Sequence, residues 1–377
     1  MQTTPMKCVP ALALLLCGSV WSAEWPTDGA DPKRTAWQQN EKILSKDNVK
    51  NLKVLWKLQL DNKPQEMHSL FAPMIVEGVR TPSGVKEIGI VGGISDNIYA
   101  VDLATGKLLW KKHFEYPTPE RRGRPGDPLC PTGMTAGPTV GPKDANGNRT
   151  VYALAGDGKL HSLNVANGED VAAPFTFGYP NGKHYSLNLW NDTIFTTTAQ
   201  GCAGNPNQMW AVNLKDPAKK VMTFHPKSGG LWGRSGAAID STGTAWAPTG
   251  DGRYDPENQV YGNGLIGAQV QGTELKLKDY FEPSNWMWLQ KRDLDFQVTP
   301  TIFTWKGREL MATASKECRV YLLDPKNAGG ANHMTPLYRS PLLCNEEVDF
   351  QSNGIWGSMA SWVDSKGTQW VLTPFWG

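Results

Sequence analysis

The sequence predicts an all-β protein made of small antiparallel sheets set radially as a propeller. Three observations predict it. A hairpin closed by a tryptophan, Ile98 to Trp110, is echoed downstream in worn form. Strand-rich modules recur at about the ~40–50 residues that one blade occupies in such repeats. The composition, 16 Trp, 39 Gly and 27 Pro in 377 residues, suits many short strands joined by turns, with large rings filling the gaps between sheets.

Residues 1–23 read as a secretory signal, and 24–377 as one domain. Lys7 gives a weakly basic start, Val9 to Leu16 a short apolar core, and Trp21-Ser22-Ala23 a small-residue cleavage site. That core is too short to span a bilayer, and no later apolar run is long enough to do so. Export to the periplasm or beyond is the expectation. Asn48 to Leu52 reads as one short helical turn. Ile43 to Leu60, with Val54-Leu-Trp-Lys-Leu58, reads as an N-terminal strand.

The modules follow in order. Ser69 to Phe114 ends in the hairpin: Ile98 to Leu103 is rich in β-branched and aromatic residues, Ala104-Thr105-Gly106 turns, and Lys107 to Lys111 returns. Gly106 is placed where a tight turn needs positive φ. Thr132 to Asp170 carries Asp157-Gly158 and Ala166-Asn167-Gly168 at the matching turns, but lacks the closing Trp. Tyr185 to Phe224, Gly230 to Tyr280 and Phe296 to Ser340 are the third to fifth modules. Gly354 to Gly377 supplies only half of a sixth, so the ring is expected to be incomplete at its C-terminus.

Composition and motifs exclude several functions. The net charge is +2, which argues against an electrostatic footprint for nucleic acid or anionic lipid. The absence of Cys-x-x-Cys-His excludes a covalently attached c-type haem, and no zinc spacing occurs. Neither a nucleophile elbow nor a phosphate loop is present. The histidines show no metal spacing, and His68 reads first as an ordinary strand residue. Beyond the signal, Cys130, Cys202, Cys318 and Cys344 remain, an even number that permits disulfides after export.

Trp25-Pro-Thr-Asp-Gly-Ala-Asp-Pro-Lys-Arg-Thr35, Asn48-Val-Lys-Asn-Leu-Lys-Val-Leu-Trp56 and Ala100-Val-Asp-Leu-Ala-Thr-Gly-Lys-Leu-Leu-Trp110 together resemble the quinoprotein alcohol dehydrogenases. Asp240 to Gly252 and Ser315 to Asp324 match by pattern. The resemblance implies an eight-bladed propeller whose tryptophan-docking repeats lock adjacent blades, here about five full blades and a partial one. It also implies oxidation of an alcohol or polyol to an aldehyde or ketone with pyrroloquinoline quinone (PQQ). A Ca²⁺ or lanthanide ion would assist, and electrons would leave to a separate carrier such as a periplasmic cytochrome c.

Each site residue is assigned by that resemblance and weighed against its plainer role. Asp293-Leu-Asp295 is read as a strand with two carboxylates on one face, Asp293 the base and Asp295 a cation ligand. The plainer role is a solvated turn after Lys291-Arg292. Trp232, in Gly229-Gly-Leu-Trp-Gly-Arg234, takes the place of the indole on which the quinone stacks; with so many Trp, a core role competes. Asp251, in Thr249-Gly-Asp-Gly-Arg253, is a second cation ligand, though Asp-Gly also makes turns. Lys316 is the quinone contact, or an exposed strand lysine.

Two departures stand out. Family members carry two adjacent cysteines over the cofactor, whereas Pro128 to Gly133 has Cys130 alone as the cofactor-side cysteine. They also carry a cation-binding Glu in the third module, where Gln200 to Asn207 offers Asn205 and Asn207. Cys130 and Cys202 are candidates to pair across two blades. The departures support an alternative, a binding or scaffold propeller without cofactor. A third reading, a glycoside-cleaving propeller, would use Asp251 and Asp293 as its paired carboxylates.

Overall fold

The computed structural model describes residues 24–63, 70–115, 129–344 and 354–376. The expected signal, 1–23, and His68 lie outside the described residues. Twenty-two strands form five four-stranded antiparallel sheets and one two-stranded sheet, each a meander of sequential neighbours. The first holds β1 (Met74–Thr81), β2 (Gly84–Gly93), β3 (Asn97–Asp102) and β4 (Lys107–His113). The second holds β5 (Thr139–Val140), β6 (Thr150–Leu154), β7 (Lys159–Asn164) and β8 (Asp170–Thr176). The third holds β9 (Asn188–Trp190), β10 (Thr193–Thr197), β11 (Met209–Asn213) and β12 (Val221–Phe224). The fourth holds β13 (Ala238–Ile239), β14 (Ala245–Pro248), β15 (Leu265–Gln271) and β16 (Glu274–Phe281). The fifth holds β17 (Thr301–Trp305), β18 (Arg308–Ser315), β19 (Arg319–Leu323) and β20 (Tyr338–Arg339), and β21 (Ala360–Val363) pairs with β22 (Gln369–Leu372).

The arrangement is radial. The first strands of consecutive sheets, β1, β5, β9, β13, β17 and β21, touch in that order. Burial falls outward: all of β3 is buried, while β8, the last strand of its sheet, is almost wholly exposed. The apolar core is accordingly a series of seams between sheets. Val76, Ile88 and Ile98 meet Val151 and Leu163 between the first and second, and Leu154 and Leu160 meet Ile194 and Trp210 between the second and third. Trp246 and Phe281 pack with Met311 and Tyr321 between the fourth and fifth. A sheet buried on both faces needs apolar residues at successive positions, as in Asn97-Ile-Tyr-Ala-Val-Asp102.

Indoles bridge neighbouring sheets at glycine turns. Trp110 in β4 donates Nε1–H to Val165 O of the second sheet (2.9 Å), and its ring covers Gly168, where a Cβ would lie 2.6 Å from Cε3. Trp56 donates to Leu103 O (2.9 Å) and covers Gly106 in the same way. Trp190 covers Gly243. These glycines have φ between +68° and +82°, so a side chain there is excluded twice, by conformation and by the indole.

The expected strand at Ile43 to Leu60 does not form. Within it only Val49–Asn51 is helical, a single 3-10 turn, and Val54 and Leu55 face solvent. Among the described residues this stretch pairs with no strand, and it carries Trp56 to its turn.

Residues 25–35 run along the inner strands instead. Trp25 exchanges backbone hydrogen bonds with Ile75, Pro26 accepts from Val140, Pro32 from Ile239, Lys33 from Ile302 and Thr35 from Ser361. Arg34, buried, donates to Thr27 Oγ1 and to Leu187 O (3.0 Å). This one segment therefore contacts an inner element of all six sheets.

Candidate active site at the loop end of the propeller

In a four-stranded meander, the turns after the first and third strands lie at one end of the sheet. The turn after the second strand and the crossover to the next sheet lie at the other. The docking glycines 106, 168 and 243 occupy turns of the first kind. Every residue assigned to the site lies in connections of the second kind. Cys130 precedes β5, Asn205 lies between β10 and β11, Trp232 between β12 and β13, and Asp251 between β14 and β15. Asp293 and Asp295 precede β17, and Lys316 follows β18. Residues far apart in sequence thus share one end of the molecule.

Asp293 and Asp295 are not on a strand, contrary to the expectation. A short helix α1 (Trp286–Lys291) ends just before them, and Asp293 takes φ +54°. Aspartate tolerates this left-handed conformation better than most residues. The turn, rather than a two-residue strand period, brings the carboxylates together. Only at Phe296 does the chain bridge to Ser315.

Asp251, Asp293 and Asp295 each offer an oxygen within 4.8 Å of the others. Asp295 is buried, Asp293 half-buried and Asp251 exposed. Asp295 accepts from Asp251 N–H and lies 2.5 Å from Lys316 Nζ. Lys316, 5% exposed, also donates to Asp293 O (3.2 Å), stands 3.7 Å from Asp293 Oδ1, and lies 4.7 Å above the Trp356 ring. Burial pushes all three carboxyls above the ordinary range. Mutual repulsion adds to this, from Asp293 on Asp251 and from Asp295 on Asp293, while Lys316 opposes it. Three acids sharing one lysine leave a surplus of negative charge, the donor chemistry of a hard cation site.

Gly250 joins this cluster to Trp232. A Cβ there would lie 2.0 Å from Trp232 Nε1 and 2.5 Å from Asp295 Oδ1, so only glycine lets the indole edge and the carboxylate approach the same backbone. Trp232 Nε1–H is buried and has no hydrogen-bond partner among the described residues. Lys183 Nζ lies 4.9 Å over the Trp232 ring, and the Tyr185 ring centre is 6.4 Å away.

The remaining assigned residues lie in connections at the same end of the propeller. Cys130 and Cys202 form a disulfide, with Cα atoms 5.3 Å apart, linking the crossover before the second sheet to a loop of the third. A second disulfide joins Cys318 to Cys344. Asn205 donates to Cys202 O (3.0 Å), while its buried Oδ1 has no partner. A Cβ at Gly182, next to Lys183, would lie 2.7 Å from its Nδ2. Asn207 instead caps the loop by accepting from Gly201 N–H (2.9 Å).

Sequence reasoning missed Lys183, Tyr185 and Trp356. Gly182-Lys-His-Tyr185 and Ile355-Trp356 carry no spacing signal, because they reach the site only through the ring. The structure brings Trp232 and Lys316 to the same acid cluster.

Residues 25–181 match the family model described as the glucose/ethanol/alcohol dehydrogenase β-propeller domain of the PQQ family. No curated protein sequence matches the chain significantly. Among solved structures, the quinohemoprotein alcohol dehydrogenase from Comamonas testosteroni is similar at 17% identity and TM-score 0.56, over 92% of this chain and 51% of that one. A europium-containing methanol dehydrogenase gives 12% identity and TM-score 0.60, over 93% of this chain and 68% of that one. The quinohemoprotein alcohol dehydrogenase ADHIIG from Pseudomonas putida HK5 gives 14% and 0.56, over 92% and 56%. The chain thus spans about half the length of the first of these, and identities this low speak for the fold. The family model over the first two sheets and the fold shared with those structures agree on a β-propeller similar to that of the quinoprotein alcohol dehydrogenases.

Proposed function

We propose that this chain is an exported PQQ-dependent dehydrogenase that oxidises an alcohol or polyol to an aldehyde or ketone. The observation that carries the reading is the convergence, through Gly250, of a three-carboxylate cluster and an indole with an unsatisfied N–H. The residues fit the cofactor. Trp232 offers a flat platform, Asp251 and Asp295 offer oxygens to a Ca²⁺ or lanthanide ion, and Asn205 adds a buried amide oxygen. When bound, the quinone and its cation supply the two-electron acceptor and the Lewis acid.

The chain's own residues handle the proton. Asp293 is the half-exposed member of the cluster, so an alcohol can reach it, and its raised pKa makes it a better base than an ordinary carboxylate. Lys316 fixes Asp295 and the Asp293 carbonyl, which orients the turn. Asp295, buried and paired, is held for ligation rather than proton transfer. Electrons would pass to a separate carrier such as a periplasmic cytochrome c.

The test is reconstitution with PQQ and Ca²⁺ or La³⁺, followed by bound chromophore and dye-linked alcohol oxidation. Cation-dependent quinone binding with turnover is expected, and Asp293→Ala should abolish turnover while leaving quinone bound. A folded protein that binds no quinone overturns the reading, and undiminished turnover in Asp293→Ala overturns the assigned base.

A further inference from the structure

We infer that Asn263 is a positioning residue for the cation site: it ties down the carbonyls of Gly250 and Gly252, the residues on either side of Asp251, and so holds that ligand ready for the ion. This rests on the function proposed above.

The loop that carries Asp251 has little stiffness of its own. Asp251 lies between two glycines in Thr249-Gly-Asp-Gly-Arg253, and glycine has the most backbone freedom to lose. The returning chain supplies the restraint. Beyond the last pair of β14 and β15, Pro248 with Leu265, Thr249 N–H donates to Gly264 O and Gly264 N–H to Thr249 Oγ1 (both 2.8 Å). Asn263 N–H then donates to Gly250 O (2.8 Å). There the chain turns left-handed, with φ +58° at Asn263, and the side chain reaches on so that Nδ2 donates to Gly252 O (3.2 Å). One residue thus grips both neighbours of Asp251.

The residue type meets both demands. Asparagine tolerates the left-handed backbone better than most residues and brings an amide, whereas glycine would meet only the first need. Asn263 is wholly buried, and turning its amide over would set Oδ1 against the Gly252 carbonyl, two acceptors with no proton between them. Gly262 closes the loop from the same side, since a Cβ there would lie 2.6 Å from Gly252 C. Asp251 N–H is donated to Asp295, so these bonds together fix the backbone of one ligand against the other. A ligand held in this way gives up less freedom when it takes a cation, and supports of this kind are worth about 10–100-fold in metal affinity.

The probe is terbium(III) alone, added to the full chain without quinone and read by tryptophan-sensitised emission. Its luminescence lifetimes in ordinary and heavy water count the water molecules on the ion, and circular dichroism reads folding and the thermal midpoint. Asp251→Ala is the reference for a lost ligand. Asn263→Gly removes the amide and keeps the left-handed backbone, while Asn263→Ala removes it and strains the backbone as well. Wild type should bind terbium, and Asp251→Ala should bind it more weakly with about one more coordinated water. Both Asn263 variants should lose about 10–100-fold in affinity and gain that same water, although the alanine variant is the less stable of the two. Affinity that follows the thermal midpoint across the two variants, with no water gained, makes Asn263 merely structural and overturns the inference. A folded Asn263→Gly that binds like wild type overturns it too, as does an Asn263→Gly that does not fold. In each of these cases a weakened Asp251→Ala leaves the dehydrogenase reading standing. If wild type binds no terbium, or Asp251→Ala binds it equally well, the proposed cation site fails and the inference falls with it.

Discussion

The two ends of the propeller use the same contact, an indole pressed onto a glycine, for opposite purposes. At the turn end, Trp56 and Trp110 cover Gly106 and Gly168, and each indole N–H is satisfied by a carbonyl of that turn's sheet. At the loop end, Trp232 crowds Gly250 just as closely, but its N–H has no partner and a carboxylate shares the glycine. A satisfied indole closes a seam between sheets. An unsatisfied one, beside three acids, is suited to holding something else. Hydrogen-bond accounting therefore separates the tryptophans that close seams from Trp232 where residue type does not.

The strongest test of that division is Asp295→Asn. It removes the carboxylate beside a buried ammonium and should cost about 3–5 kcal/mol in chemical denaturation. A loss under about 1 kcal/mol, the size of a surface pair, would show that the pair is solvated. Next come the two glycines. Gly168→Ala should cost about 2–4 kcal/mol, from the left-handed backbone and the collision with Trp110, with quinone affinity unchanged in the folded fraction. Gly250→Ala should instead abolish quinone and cation binding. Equal effects of both on binding would erase the distinction between the ends.

His184 gives a smaller, graded effect. It is fully buried, neither ring nitrogen is hydrogen-bonded among the described residues, and burial drives its pKa from 6.5 to about 3. The folded chain thus binds fewer protons than the unfolded one. Stability is fully present above pH 6.5 and lost as pH falls toward 3, by at most about 1.4 kcal/mol per pH unit. His184→Leu should flatten this acid limb in denaturation curves taken across that range. Smallest is Asp293→Asn. Asp293 has a raised pKa, so its stabilising contribution is present below the ordinary aspartate pKa and lost as pH rises. At neutral pH, without cation, the amide should therefore raise the thermal midpoint by the equivalent of less than about 1 kcal/mol, since the group is half-exposed. Ca²⁺ should reverse the order by stabilising the wild type more.

The fold was legible because its signals are local. Asn97 to Trp110 contains its own strands, turn and indole, and Asp157-Gly158 and Ala166-Asn167-Gly168 repeat the turn chemistry. Candidate site residues could be named only where a motif travelled with them, as for Trp232, Asp251 and Asp293-Leu-Asp295, which the structure brings near one another. Even there the backbone was misread, because α1 and the left-handed Asp293 replace the expected strand. Lys183 and Trp356 gave no signal, since they reach the site by crossovers that meet at one end of a ring. Ile43 to Leu60 misled for the converse reason: its alternation is strand-like, but among the described residues it pairs with no strand.

The segment from Trp25 to Thr35 has a consequence for how the molecule is made. Its partners begin at Ile75 and end at Ser361. The residues synthesised earliest in this domain therefore complete their bonding last, when the sixth sheet arrives. Until then their backbone groups must wait in water or in provisional contacts, and each partner gained closes a longer loop. The segment acts as a tally of assembly. Its hydrogen bonds report how many sheets have joined, and amide exchange at Ile75, Val140, Ile239, Ile302 and Ser361 would read that count directly.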